Sequence, residues 1–121
     1  MGSALPMSRD GHGGLDVSSE QPSDDTVHIR VVGELDMSNR DALTDALMSA
    51  RARASTLVVD LRSLAFMDSS GLRVLLDLWN ETSMAERDLK IVVPKDGVVR
   101  RVLEISGCDR MLPIVEDPDG F

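Results

Sequence analysis

The tetrapeptide Asp68-Ser69-Ser70-Gly71 gathers side chains able to do chemistry. It follows a hydrophobic, strand-like run and opens a helix-like one, and in open α/β sheets ligands and partners meet the chain at such strand ends. A serine there can act as a nucleophile in acyl transfer or as the acceptor of a phosphoryl group. Acyl transfer needs a base and an oxyanion site, yet the elbow pattern Gly-x-Ser-x-Gly is absent, because Asp68 stands where its first glycine would be. Only His12 and His28 offer an imidazole, one in an unpatterned N-terminal stretch and the other in an early strand, which makes a Ser/His pair a poor expectation. Asp68 or Ser69 can cap the helix, which would leave Ser70 exposed in its first turn. Short polar residues at a helix start also need no purpose beyond capping. Gly71 is harder to ascribe to capping alone: glycine costs about 1 kcal/mol inside a helix relative to alanine, so its presence predicts that something else closely approaches the backbone there.

The elements that must position this turn are readable from periodicity. Residues 1–14 are rich in Gly and Ser without a pattern and are expected to be a disordered leader. A short strand over 15–19, turn-forming residues at 21–25 and alternation over 26–32 predict a hairpin, with Val27, Ile29 and Val31 on one face. Leu43, Ala46, Leu47 and Ala50 then follow helical spacing, with Ser38 as the expected cap and Asp41 three residues on. The β-branched run 56–61 predicts a central strand covered on both faces. Asp60, at the expected end of that strand, is a rival phosphoacceptor of the receiver-like kind, but the acidic pair such a domain needs for its metal is missing.

A second helix is expected from near Ser70 to Met84 or Ala85, a buried strand over 89–93 and a third helix over 97–106 stopped by Gly107. Ile114 and Val115 suggest a last short strand. In the second helix Leu72, Leu75, Leu76 and Trp79 form one apolar stripe, and Val74 and Leu78 form another. The sheet and a neighbouring helix are expected to cover both rows, leaving Arg73, Asp77 and Asn80 wet; the alternative makes Val74 and Leu78 a partner patch. The order β-β-α-β-α-β-α-β predicts a small α/β domain. Its mixed, mostly parallel sheet has about five strands and an opening hairpin.

Bulk composition removes several function classes. The chain has 121 residues, 42% of them hydrophobic, which suits one packed core. With 13 Lys plus Arg against 21 Asp plus Glu, the formal charge of −8 has the wrong sign for a phosphate backbone, so no direct nucleic-acid partner is expected. Cys108 is the single cysteine, and no Cys/His cluster has zinc spacing, so neither a disulfide nor a metal is expected. No glycine-rich phosphate cradle supports a nucleotide cofactor, and no run approaches the apolar length of a membrane span. A cytoplasmic location fits these features.

Gly33-Glu34-Leu35-Asp36, followed by Asp68-Ser69-Ser70-Gly71-Leu72, resembles a STAS domain of the anti-sigma factor antagonist type, with the likeness covering residues 15–115. The resemblance implies that the domain runs over 15–121 and is not an enzyme. It implies a partner-binding surface of Asp36, Asp68, Ser69, Ser70, Gly71 and Arg73. It further implies that an anti-sigma factor, itself a serine kinase, is held by the unphosphorylated form and released when Ser70 is phosphorylated, and that a phosphatase resets Ser70. The chain differs from the pattern in its N-terminal extension, in ending at Phe121, so that the closing helix the family usually carries is expected to be missing or very short, and in Arg73, where many antagonists have a small residue. The resemblance also admits a STAS subunit of a lipid-transport or larger signalling assembly that binds without phosphorylation.

Overall fold

The structure is a computed structural model and describes residues 6–12 and 14–117. Its ten elements are β1 (Pro6–His12), β2 (Leu15–Ser23), β3 (Thr26–Leu35), α1 (Arg40–Arg51), β4 (Thr56–Met67), α2 (Ser69–Met84), β5 (Asp88–Val92), α3 (Val98–Ser106), a 3-10 turn (Cys108–Arg110) and β6 (Ile114–Val115). The six strands form one sheet in chain order, β1-β2-β3-β4-β5-β6. The first two pairings are antiparallel and the other three parallel. The expected mixed, mainly parallel α/β sheet is therefore present, with the hairpin opening it.

Each parallel step advances one strand in the same direction, and right-handed crossovers then place the connecting helices on one face. The packing agrees: Val27, Ile29 and Val31 of β3, Leu57 and Val59 of β4, and Ile91 of β5 share one buried cluster with Leu43 and Leu47 of α1, Leu75 and Leu78 of α2, and Leu103 of α3. Strand alternation sends the next residues of each strand the other way. There Arg30 of β3 lies beside Asp60 of β4 in the ladder, with Val92 of β5 on the far side. Val58 and Val92 are also buried but stand outside the main cluster, so on its second face the β4 run is buried at Val58 and only half-buried at Thr56 and Asp60.

Three expectations change. An unpatterned leader was expected over 1–14, but the backbone of Pro6–His12 pairs antiparallel with β2 from His12↔Leu15 to Pro6↔Glu20. Backbone hydrogen bonds to an open sheet edge require no hydrophobic pattern, which is why composition concealed this strand. Residues 1–5, 13 and 118–121, and with them the rest of the expected leader and the end of the expected domain, lie outside the described residues.

Second, β4 does not stop at Leu61. It continues to Met67 through register shifts against β3 between Arg30 and Val32 and between Gly33 and Glu34. Each shift inserts a residue and breaks the period of two, so the inward positions run Leu57, Val59, Leu61, Leu64, Met67. Asp60 therefore sits in mid-strand, bonded to Arg62, and not at a strand end as a receiver-like acceptor would. Third, Ser38 does not cap α1. The helix begins after Asn39, and the Ser38 hydroxyl donates instead to Asp36 Oδ1 at 2.6 Å.

Candidate functional site

The site is built where β3 and β4 end side by side. Leu35 and Met67, their last residues, are ladder partners, so Asp36 and Asp68 leave the sheet next to one another. A parallel pair with equal exits is what brings two motifs, thirty-two positions apart, onto one surface.

Asp68 is the N-cap of α2, with extended backbone angles (φ −100°, ψ −169°). Its Oδ1 accepts from the amides of Ser70 at 2.8 Å and Gly71 at 3.4 Å, satisfying two of the helix's orphan donors. The cap fixes the rotation of the helix start. Ser70 then falls four residues before Val74 and eight before Leu78, on the row that faces the core, and it is only 7% exposed. Ser69 falls four before Arg73 and eight before Asp77, on the wet row, and is exposed.

This reverses the sequence expectation for Ser70, which is buried at the helix start. The spacing to Val74 and Leu78 carried the signal, since residues four apart share a helix face. Val74 and Leu78 are themselves buried, so they belong to the core and form no partner patch. Arg73, Asp77 and Asn80 are on the wet side as expected.

Gly71 has a tight structural setting. A Cβ there would collide with the Met67 side chain and come within 2.9 Å of Leu35 Cδ2. The close approach that a helical glycine predicted is thus made by the two strand-end side chains. They let α2 settle directly on the ends of β3 and β4. Gly33 answers a different need. It has φ +113°, and a Cβ would strike the Gly14 carbonyl oxygen, which accepts from the Glu34 amide at 3.0 Å.

On the β3 side, Asp36 Oδ1 accepts from the Ser38 hydroxyl at 2.6 Å and the Ser38 amide at 2.9 Å. The Ser38 hydroxyl bond, then its amide bond, hold the Asp36 carboxyl below the usual carboxylate range. Asn39 was not anticipated. Its side chain, 2% exposed, accepts from the Asp36 amide at 3.0 Å and donates to the Glu34 carbonyl at 2.9 Å. It locks the loop that displays Asp36. Met37, 70% exposed, and Phe66, 44% exposed and paired with Glu34 across the ladder, were also missed. Both are large apolar side chains left exposed at or next to the strand ends that carry Asp36 and Asp68.

Among the described residues no group of three His, Cys, Asp or Glu could hold a metal. Of the expected site residues, Asp36, Asp68, Ser69, Ser70 and Gly71 are brought together at the strand ends. Arg73 stands one turn further along α2, where it lines a groove between α1 and α2.

Residues 18–115 match the model of the family described as Mlab, STAS domain. The chain belongs to the STAS domain family. A similar protein, an anti-sigma F factor antagonist of Paenibacillus polymyxa, is 31% identical to this STAS domain over 91 residues, 74% of this chain and 77% of the relative. The crystal structure of an anti-sigma factor antagonist from Mycobacterium paratuberculosis superposes with a TM-score of 0.78 at 25% identity, covering 87% of this chain and 88% of that one. The anti-sigma factor antagonist SpoIIAA in its unphosphorylated form gives 0.70, also at 25% identity, covering 85% and 89%. No helix of this STAS domain, among the described residues, is long and apolar enough to cross a membrane.

Proposed function

We propose that this STAS domain is an anti-sigma factor antagonist that regulates transcription by partner switching in the cytoplasm, without catalysing a reaction. It holds an anti-sigma factor, itself a serine kinase, when unphosphorylated. Phosphorylation in the Ser69-Ser70 pair releases it, and a phosphatase resets the pair. The docking surface is the end of the sheet carrying Asp36, Met37, Phe66 and the Asp68-to-Gly71 turn. The observation that carries this reading is the exposed Ser69 at an Asp68-capped helix start, beside Asp36, in a chain similar to anti-sigma factor antagonists.

Ser69 replaces Ser70 as the acceptor for a physical reason. A kinase must place the hydroxyl in line with the γ-phosphate, and the 7% exposed Ser70 would have to leave the core to comply. Ser69 needs no such opening. Once attached, the phosphate adds about −1.5 to −2 charges and three acceptor oxygens. The helix N-terminus tolerates that charge, whereas a docked partner would have to desolvate it beside Asp68 and Asp36. A loss of about 1.4 kcal/mol weakens binding tenfold, so a local mismatch suffices for the switch.

The test is incubation of the purified protein with its anti-sigma kinase and ATP, followed by mapping of the phosphate by mass spectrometry. The reading expects phosphate on Ser69, none on the Ser69→Ala protein, and weaker kinase binding after modification. Phosphate found only outside this turn, or unchanged affinity after stoichiometric modification, would sink it. Capture of a transporter subunit from the native extract, with no transfer of phosphate, would favour the lipid-transport alternative.

A further inference from the structure

Ser69, Arg73 and Asp77 recur at intervals of four along α2, and all three side chains are exposed, so they form one row on its outer face. Arg73 also lines a groove between α1 and α2. Arg40, Asp41 and Thr44 make its α1 wall, and Val74 and Asp77 continue the α2 wall. Guanidinium groups from two different helices thus line one groove, and Arg73 stands one helical turn along α2 from Ser69. Their present contacts are long: Arg73 Nε lies 3.9 Å from Asp77 Oδ1, and Arg40 Nε lies 3.7 Å from Asp41 Oδ1, both on exposed side chains. Such contacts exceed hydrogen-bonding distance and hold exposed pairs weakly.

We propose that Arg73, assisted by Arg40, is an intramolecular clamp for a phosphate on Ser69; the inference rests on the reading of Ser69 as the modified residue. The phosphoryl dianion brings three acceptor oxygens to within one helical turn of Arg73, and an arginine fork can bond two of them at once. Arg73 exchanges its long contact with Asp77 for short charge-assisted bonds, and Asp77 turns to solvent. Asp41, Asp68 and Asp77 all oppose the incoming charge, which is why a second cation from α1 matters. Modification then alters the surface twice. It adds a dianion, and it withdraws two cations from any acidic group on a partner.

The experiment uses the full chain with phosphoserine inserted at position 69 during translation, so no kinase is involved. The second ionisation of the phosphate is followed by phosphorus NMR titration in four phosphoproteins: the parent, Arg73→Gln, Arg73→Lys and Arg40→Gln. A clamp lowers the phosphate pKa in the parent. The shift is lost in Arg73→Gln, partly retained in Arg73→Lys and reduced in Arg40→Gln. The helix N-terminus acts equally in all four, so the differences report the arginines. Identical phosphate pKa values in the parent and both glutamine variants would overturn the clamp alone. A kinase-transferred phosphate mapped to a different residue would overturn the reading of Ser69 alone.

Discussion

The amide of Asp68 donates to the carbonyl of Leu35 at 3.3 Å, tying the start of α2 to the strand end that leads into Asp36. The two halves of the site are therefore one rigid corner. Asp68 caps the helix, Asn39 locks the opposite loop, and Gly71 lets the helix rest on Leu35 and Met67.

Removing the cap should loosen that corner. Asp68→Ala leaves the Ser70 and Gly71 amides without their carboxylate and is expected to cost about 0.5–2 kcal/mol. Asp68→Asn, which keeps an acceptor, should cost less. Urea denaturation of the two variants checks the order, and equal losses would mean that charge and not capping dominates.

Gly71→Ala should destabilise by about 1–3 kcal/mol, because the methyl group must displace Met67 or Leu35 from a filled core. Met67→Leu, a smaller change at the colliding side chain, should interact with it. A double-mutant cycle that proves additive would rule out the contact as the cause.

The two serines should respond oppositely to charge. Ser70→Asp places a carboxylate in a buried position and is expected to lower the thermal midpoint sharply, whereas Ser69→Asp should stay within about 0.5 kcal/mol of the parent. A Ser70→Asp protein that keeps the parent's midpoint would show that Ser70 is not buried in solution. If the expectation holds, loss of binding in Ser70→Asp reports unfolding and says nothing of phosphorylation.

Asn39→Ala removes an acceptor from the Asp36 amide and a donor from the Glu34 carbonyl, both at the base of the displayed loop. The expected loss is about 1–3 kcal/mol, since at least one partner is left unsatisfied. Hydrogen exchange of the Asp36 amide should accelerate in the variant. Unchanged exchange would remove Asn39 from the site.

The acid limb of stability should involve Asp60. Burial raises its pKa, but the hydrogen bonds and charge of Arg62, followed by the charge of Arg30, outweigh burial and leave it below the usual value. A carboxylate depressed in the folded state contributes stability that is present above its unfolded pKa of about 3.9 and is lost as pH falls through the folded one. Arg62→Gln should therefore flatten the decline of the urea midpoint below about pH 4. A decline identical to the parent's would dismiss the Asp60–Arg62 pair as its source.

How much of this was legible in the chain depends on whether burial or hydrogen bonding set the feature. The helix of Leu43 and Leu47, the strand of Leu57 to Val59 and the stop at Gly107 each announced themselves, because a packed helix face repeats with one period, consecutive buried strand residues read as an unbroken apolar run, and a glycine takes a left-handed cap. The overhang of β4 past Leu61 did not, because two bulges scramble alternation and leave Arg62, Ala65 and Phe66 looking like a loop. Asn39 gave no sign, since one buried amide has no periodicity. Ser70 was the instructive case. Its i+4 and i+8 neighbours Val74 and Leu78 already placed it inward, but the cap had two candidates, and the helix phase rests on which is used.

The strand order carries a consequence for how the molecule can change over time. Every parallel neighbour in the sheet is also the next strand in the chain, so closing each pairing loops out little sequence and assembly can proceed step by step along the polypeptide. It also means that, among the described residues, β1 and β6 each touch a single partner strand. A change confined to either of these strands leaves the pairing of β3 with β4, which sets Asp36 beside Asp68, undisturbed.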